Sequence, residues 1–215
     1  MFQLESHTGG FTVTNCFLLK SENAAVLIDA PVGAADWLQQ LQVRVDALLL
    51  THQHFDHVMD AAAIREAHEC PIYAFAAADQ DLTVAELMRG FGLDVVVPEF
   101  EIDHVLGNEN RIQVAGFEFE LIHVPGHSPD SICFRPAMRS DRDQAILLGG
   151  DVLMQRSVGR HDFPHSDRQL LAEGIREKLY ALPAETVVYP GHGPWTTIGE
   201  EMYENPFVRL DTRED

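Results

Sequence analysis

The sequence predicts an α/β protein made of two β-rich halves, two mixed sheets packed face to face with helices outside. Three observations carry this. Short apolar, β-branched runs alternate with amphipathic helical stretches; the alternation runs once before Arg111 and again after it; and no low-complexity linker interrupts the 215 residues. That length suits one domain spanning residues 1–215 and is enough to enclose a large core.

In the first half, residues 13–19 and 25–28 are apolar runs rich in β-branched residues, and Ser21-Glu22-Asn23 between them reads as a hairpin turn. Residues 34–42 place Trp37, Leu38 and Leu41 at helical spacing. Residues 45–50 form a short apolar strand that runs into a histidine cluster. An Ala-rich helix follows over 60–68, then a strand over 72–75 and a broken helical stretch over 77–91. In the second half, residues 111–114 and 117–124 are strands around an Ala115-Gly116 turn, and 131–134 and 145–148 make another pair. Asp167 reads as the N-cap of a helix over 168–179. A last strand over 186–189 and a short helix near 200–205 complete the reading.

Composition narrows the function classes. Fifteen basic against 34 acidic residues give a net charge of −19, a field that repels nucleic-acid backbones and anionic membrane surfaces. No apolar run approaches the roughly 20 residues of a membrane span, and no basic-then-apolar leader opens the chain. Cys16, Cys70 and Cys133 are sparse, unpaired in spacing and set among apolar neighbours, which predicts buried thiols and a reducing, cytoplasmic setting.

The chemistry lies in His52-Gln53-His54-Phe55-Asp56-His57, which gathers three imidazoles and a carboxylate in six residues. These are the ligand types a Zn²⁺-like cation prefers. His52 and His54 are two apart, so in an extended segment both point to one side. Asp56 and His57 fall where the chain turns into the next helix. Three more ligand-type residues follow at strand ends beside glycine: His127 in Pro125-Gly126-His127, Asp151 after Gly149-Gly150, and His192 in Pro190-Gly191-His192-Gly193. With no cysteine in it, the set leaves coordination positions open to water, as a catalytic site does and a closed structural zinc site does not. His7, His68, His104, His123, His161 and His165 are read as ordinary structural or surface histidines, His68 as a favourable charge at a helix end. Asp29 has two equal readings: an acceptor that orients a ligand histidine, or a cap of its own turn.

On these motifs the chain resembles the metallo-β-lactamase superfamily from about Val13 to His192 and on towards its end. Within it, the chain is similar to the small glyoxalase II-like hydroxyacylglutathione hydrolases. Gly159-Arg160-His161-Asp162-Phe163, Pro190-Gly191-His192-Gly193-Pro194 and Asn205-Pro206-Phe207 add to that likeness. The resemblance implies a four-layer αβ/βα sandwich with a dinuclear site at one edge. It assigns His52, His54 and His127 to one ion, Asp56, His57 and His192 to the other, and Asp151 as a bridge. A bridging Asp argues against a true β-lactamase. Glyoxalase II proper carries a further C-terminal helical domain with basic glutathione contacts, for which this chain leaves no room, and Asp130 stands where the related loop usually has Gly.

The expected protein is thus a hydrolase with two divalent ions, zinc first and iron or manganese as alternatives, acting on a small-molecule thioester by a metal-bridging hydroxide. Asp56 is the expected catalytic carboxylate, orienting that hydroxide. Arg160 either contacts an anionic part of the substrate or pairs with Asp162 to brace its loop, and the local pair is the simpler reading. The main rival is a persulfide dioxygenase of the same fold, with one Fe²⁺ on His52, His127 and Asp151; a lactonase is a third reading.

Overall fold

A computed structural model describes residues 1–210 apart from Met138, Asp141 and Asp143. One six-stranded sheet runs in the order β1 (Gln3–Gly9), β2 (Thr14–Lys20), β3 (Ala25–Ile28), β4 (Ala47–Leu49), β5 (Ile72–Ala74) and β6 (His104–Val105). The other contains β7 (Arg111–Val114), β8 (Phe117–His123), β9 (Ile132–Pro136), β10 (Ile146–Gly150), β13 (Val187–Pro190) and β14 (Thr196–Thr197). Its order is β14-β13-β10-β9-β8-β7, and β11 (Leu153–Met154) with β12 (Ser157–Val158) forms a separate small ribbon. Both large sheets are mixed: β3-β4-β5-β6 and β10-β13 pair in parallel, the other neighbours antiparallel.

The four layers follow from the period-2 alternation of the strands. Along β2, Phe17 and Leu19 enter the core between the sheets, whereas Cys16 and Leu18 face the outer helices. Leu49 and Leu48 divide in the same way on β4. In the second sheet Ile146 and Leu148 face inward and Leu147 outward. Helices α1 (Ala34–Leu41), α2 (Phe55–Val58), α3 (Ala61–His68) and α4 (Ala85–Gly90) cover the first sheet through Leu38, Val58, Ile64 and Met88. The second is covered by α5 (Arg168–Gly174), its π-helical continuation Ile175–Leu179, and α6 (Ile198–Glu204), through Leu171, Ile175, Leu179 and Ile198. Strands buried on both faces need both faces apolar, which is why they read as unbroken apolar runs.

Local signals account for most boundaries. Asp167 caps α5 by accepting from the Gln169 and Leu170 amides. Asp60, directly before α3, instead turns its carboxylate to the Gly33 and Ala35 amides at the start of α1, at 2.9 and 3.0 Å. The sequence reading missed β1, because this edge strand is half exposed and polar on both faces. It also missed β6, β11, β12 and β14, each two residues long and held by neighbours rather than by pattern. His68 needs correction: its Nδ1 accepts from the Val45 amide at 3.2 Å, and burial, then Arg44, lowers its pKa, so it sits neutral at the helix end. The three cysteines are buried as expected, and burial raises all three thiols, Cys70 to about 11 and Cys133 to about 12. No helix among the described residues is long and apolar enough to cross a membrane.

Phe119 lies fully buried between the sheets. Phe119→Ala is expected to cost about 3–5 kcal/mol in chemical denaturation. The same change at the exposed Phe207 should fall within about 0.5 kcal/mol of the parent.

Candidate metal centre

All seven candidate ligands gather at one edge of the sandwich, where strands of both sheets end. His52, His54, Asp56 and His57 follow β4, His127 follows β8, Asp151 follows β10 and His192 follows β13. Backbone bonds lace the two sheets together at this edge: Asn15 N donates to Gly191 O at 2.7 Å, and Ile132 N to Thr51 O at 2.8 Å. Three groups of ligand atoms converge closely enough to share an ion: His52 with His54 and His127; His52 with His57 and Asp151; Asp56 with His57 and His192. Asp151 lies between them, Oδ1 3.4 Å from His57 Nε2, and Oδ2 3.6 Å from His127 Nε2 and 3.3 Å from His192 Nε2.

Hydrogen bonds on the far side of the rings explain why the Nε2 atoms face inward. His57 Nδ1 donates to Asp29 Oδ2 at 2.9 Å, His127 Nδ1 to the Arg160 carbonyl at 2.7 Å, and His192 Nδ1 to the Thr12 carbonyl at 3.1 Å. Thr51 Oγ1 gives its proton to Asp29 Oδ2 at 2.8 Å, so His52 Nδ1 donates to that hydroxyl at 3.1 Å. A ring whose Nδ1 carries the proton presents an Nε2 lone pair, the form a metal accepts. Asp29 therefore takes the orienting role left open by the sequence; its φ of 62° turns the carboxylate to both Thr51 and His57.

Close packing adds a second constraint. Gly150 has a φ of +48°, and a Cβ there would stand 2.4 Å from Thr51 Oγ1. A Cβ on Gly191 would stand 2.2 Å from Asp151 Oδ1 and 2.5 Å from His57 Cε1. On the other flank, Phe163 presents its ring edge-on to His54, with centroids 5.7 Å apart. The Arg160 guanidinium lies over Phe163 at 4.4 Å and pairs with Asp162, Nε to Oδ1 at 2.5 Å. The brace is the reading the structure favours for the Arg160 side chain, while its carbonyl steadies His127.

The donor set fits a cation. His52 Nε2 and His127 Nε2 face each other at 3.2 Å, and His57 Nε2 and Asp151 Oδ1 are buried without hydrogen-bond partners among the described residues. Buried polar atoms left in this way are costly unless something satisfies them. Burial first, then neighbouring imidazoles, lowers the pKa of His52 and His54 far below its ordinary value; burial lowers His127 as well. His57 and His192 go the other way. Burial opposes their charge, but the carboxylates outweigh it: Asp29, then Asp151 and Asp56, raise His57, and Asp151 and Asp56 raise His192 to about 10. Partial burial opposes the charge of Asp56 as well, yet His57 and His192 bring its pKa down to about 2. The His192 and Asp56 end is the open one, with the His192 side chain 27% exposed.

The sequence reading names the seven residues that converge here, but not the supporting roles of Thr14, Thr51, Phe163 or the arginine carbonyl beside them. Thr14 Oγ1 donates to Asp56 Oδ2 at 2.8 Å across 42 residues, a contact no local pattern announces.

Asp29→Ala should weaken metal binding about 10–100-fold, read by competition with a chromogenic chelator. Retention of full affinity would remove Asp29 from the orienting role. Because His57 and His192 hold protons that a metal must displace, loading the metal-free protein near pH 7 should release about two protons per chain. Affinity should fall as pH falls, and calorimetry in buffers of different ionisation enthalpy measures both effects.

Comparison with known proteins agrees with this geometry. A family model described as the metallo-beta-lactamase superfamily matches residues 9–192. Hydroxyacylglutathione hydrolase GloC of Haemophilus influenzae is 36% identical over 202 residues, 90% of this chain and 92% of its own. Among solved structures, the BLEG-1 B3 metallo-beta-lactamase superposes with a TM-score of 0.83 at 35% identity, covering 96% of this chain and 99% of its own. TTHA1623 in a di-iron-bound form gives 0.79 at 34%, covering 95% and 100%. ETHE1 from Myxococcus xanthus gives 0.76 at 25%, covering 97% and 84%. With the family model spanning the strand ends that carry all seven residues, the chain belongs to the metallo-β-lactamase superfamily.

Proposed function

We propose that this protein is a binuclear metal-dependent hydrolase of small thioesters, S-acylglutathione or a related acyl carrier. The observation that carries the reading is the paired convergence of ligand atoms, with Asp151 reaching both groups. His52, His54 and His127 would hold one ion, Asp56, His57 and His192 the other, and Asp151 would bridge them. Zinc suits this all-His/Asp set, as do iron and manganese. Bound there, two divalent ions supply Lewis acidity and a water acidic enough to ionise near neutral pH.

The chain's own groups do the rest. Thr14 fixes Asp56 Oδ2, and a pKa near 2 keeps this carboxylate an acceptor that orients the attacking water. Asp29 and Thr51 keep His57 and His52 from turning as charge moves through the site. Hydrolysis forms a C–O bond to water, breaks the C–S bond, and yields a carboxylate, a thiol and one proton. A thiol leaving group, with a pKa near 8.5 by analogy with Cys, departs without a strong acid. That matches a cluster whose carboxylates, Asp56 and Asp151, are both held well below their ordinary range, with imidazoles as the partners that lower them. The relative named as a hydroxyacylglutathione hydrolase supports the substrate class.

A persulfide dioxygenase remains the second reading, because His52, His127 and Asp151 alone form a two-His-one-carboxylate face and ETHE1 shares the fold. The additional Asp56, His57 and His192 group favours the hydrolase.

Protein purified without chelator should contain close to two ions per chain and turn over a thioester panel faster than a chromogenic β-lactam or a lactone. One iron per chain with oxygen uptake on a persulfide would instead select the dioxygenase. His127→Ala should lower both metal content and turnover, by at least about 100-fold for turnover. Full activity with normal metal content would sink the ligand assignment.

A further inference from the structure

The open side of the metal centre carries an apolar feature that the hydrolytic chemistry leaves unused. The turn at residues 10–13, between β1 and β2, is pinned to the ligand cluster through polar atoms. The Thr12 carbonyl accepts from His192, Thr14 bonds Asp56, and Asn15 N donates to Gly191 O. Its side chains behave differently. Phe11 and Val13 are 66% and 61% exposed, and Val13 holds a φ of 59°, a left-handed conformation a β-branched residue adopts only under strain. Strain of this kind persists where surrounding contacts over-determine it, and here those contacts are the bonds to Asp56 and His192.

Phe11 stacks on Phe55, ring centroids 5.8 Å apart. With Val32, Phe55, Met59 and Val95 it walls a narrow cleft of about 50 Å³ that reaches Asp56. Val32 is itself half exposed beside it. The charged groups on this cleft are Asp56 and Asp94, and no Lys or Arg lines it among the described residues. An anionic thiol carrier, bearing carboxylates or phosphates, is repelled from such a wall. An apolar chain gains from it, because contact removes exposed hydrocarbon from water on both partners.

We infer that this cleft is the acyl subsite of the enzyme and that it selects unbranched aliphatic acyl groups over small polar ones. The inference rests on the hydrolase reading and adds the identity of the group presented to Asp56. The chain enters between Phe11 and Val32, with its carbonyl at the Asp56 and His192 end. The thiol carrier leaves by another direction, away from the two carboxylates.

The test uses the metal-loaded protein with acetyl, butyryl, hexanoyl and octanoyl thioesters of one carrier, and with the matching linear carboxylates in calorimetry. The expected result is a kcat/KM that rises about fourfold per methylene until the cleft is filled, with carboxylate affinity rising in parallel. Phe11→Ser should cut the hexanoyl-to-acetyl ratio about tenfold with metal content unchanged. Phe207→Ser, at a remote exposed position, should leave the ratio as it was. Hydrolysis that is flat or falling with chain length overturns the subsite and leaves the hydrolase standing. Chain-length-dependent carboxylate binding without any thioester turnover supports the subsite and overturns the hydrolase. Absence of both overturns both.

Discussion

The Asp29 carboxylate is the interaction on which the site depends. One side chain at the end of β3 accepts from the Thr51 amide, the Thr51 hydroxyl and His57 Nδ1. Through Thr51 it also decides which nitrogen of His52 carries the proton. The arrangement needs a residue that tolerates positive φ and offers two acceptor oxygens, and Asp satisfies both conditions. Its neighbours on the strands are among the most buried side chains of the protein, so the carboxylate is held by two packed cores rather than by a loop.

Around that anchor the molecule tolerates an arrangement an ordinary core would reject. Buried imidazoles face one another, and a buried carboxylate oxygen and ring nitrogen lack hydrogen-bond partners among the described residues. Half-satisfied polar networks are less stable than apolar packing of the same volume. A cation held there would satisfy those atoms, and the apolar cores on either side of the sheets hold the strands that carry them. The same logic explains the glycines at its rim: Thr51 approaches Gly150, and Asp151 and His57 approach Gly191, so closely that even a methyl group has no place. It also gives the site its polarity, enclosed at His52, His54 and His127 and open at Asp56 and His192, where the apolar turn at residues 10–13 meets solvent.

How much of this was legible depended on whether the cause was local. Strands buried on both faces declared themselves as apolar runs, and Asp167 declared its helix by capping chemistry. The edge strand β1 did not, since its hydrogen bonds to β2 stabilise it without any apolar alternation of its own. His68 looked like a charged helix end because nothing in its own segment shows that the Val45 amide would arrive at its ring. The Arg160–Asp162 pair, one of the two readings open for Arg160, was legible because its partner is two residues away. Thr14 and Thr51 were invisible because a hydroxyl carries no pattern until a distant carboxylate is placed beside it.

The sequence by itself determined the family, the layer order and the seven ligand-type residues. Each of these follows from residue type and short-range spacing, quantities that survive in one dimension. Only the tertiary structure decided which nitrogen each histidine presents, why Asp29 must be an acid with positive φ, and that an apolar cleft opens beside Asp56. Those depend on chain segments up to about 180 residues apart meeting within hydrogen-bond distance, as Thr12 and His192 do. Such meetings are fixed by how two sheets pack, which no single stretch of the chain records.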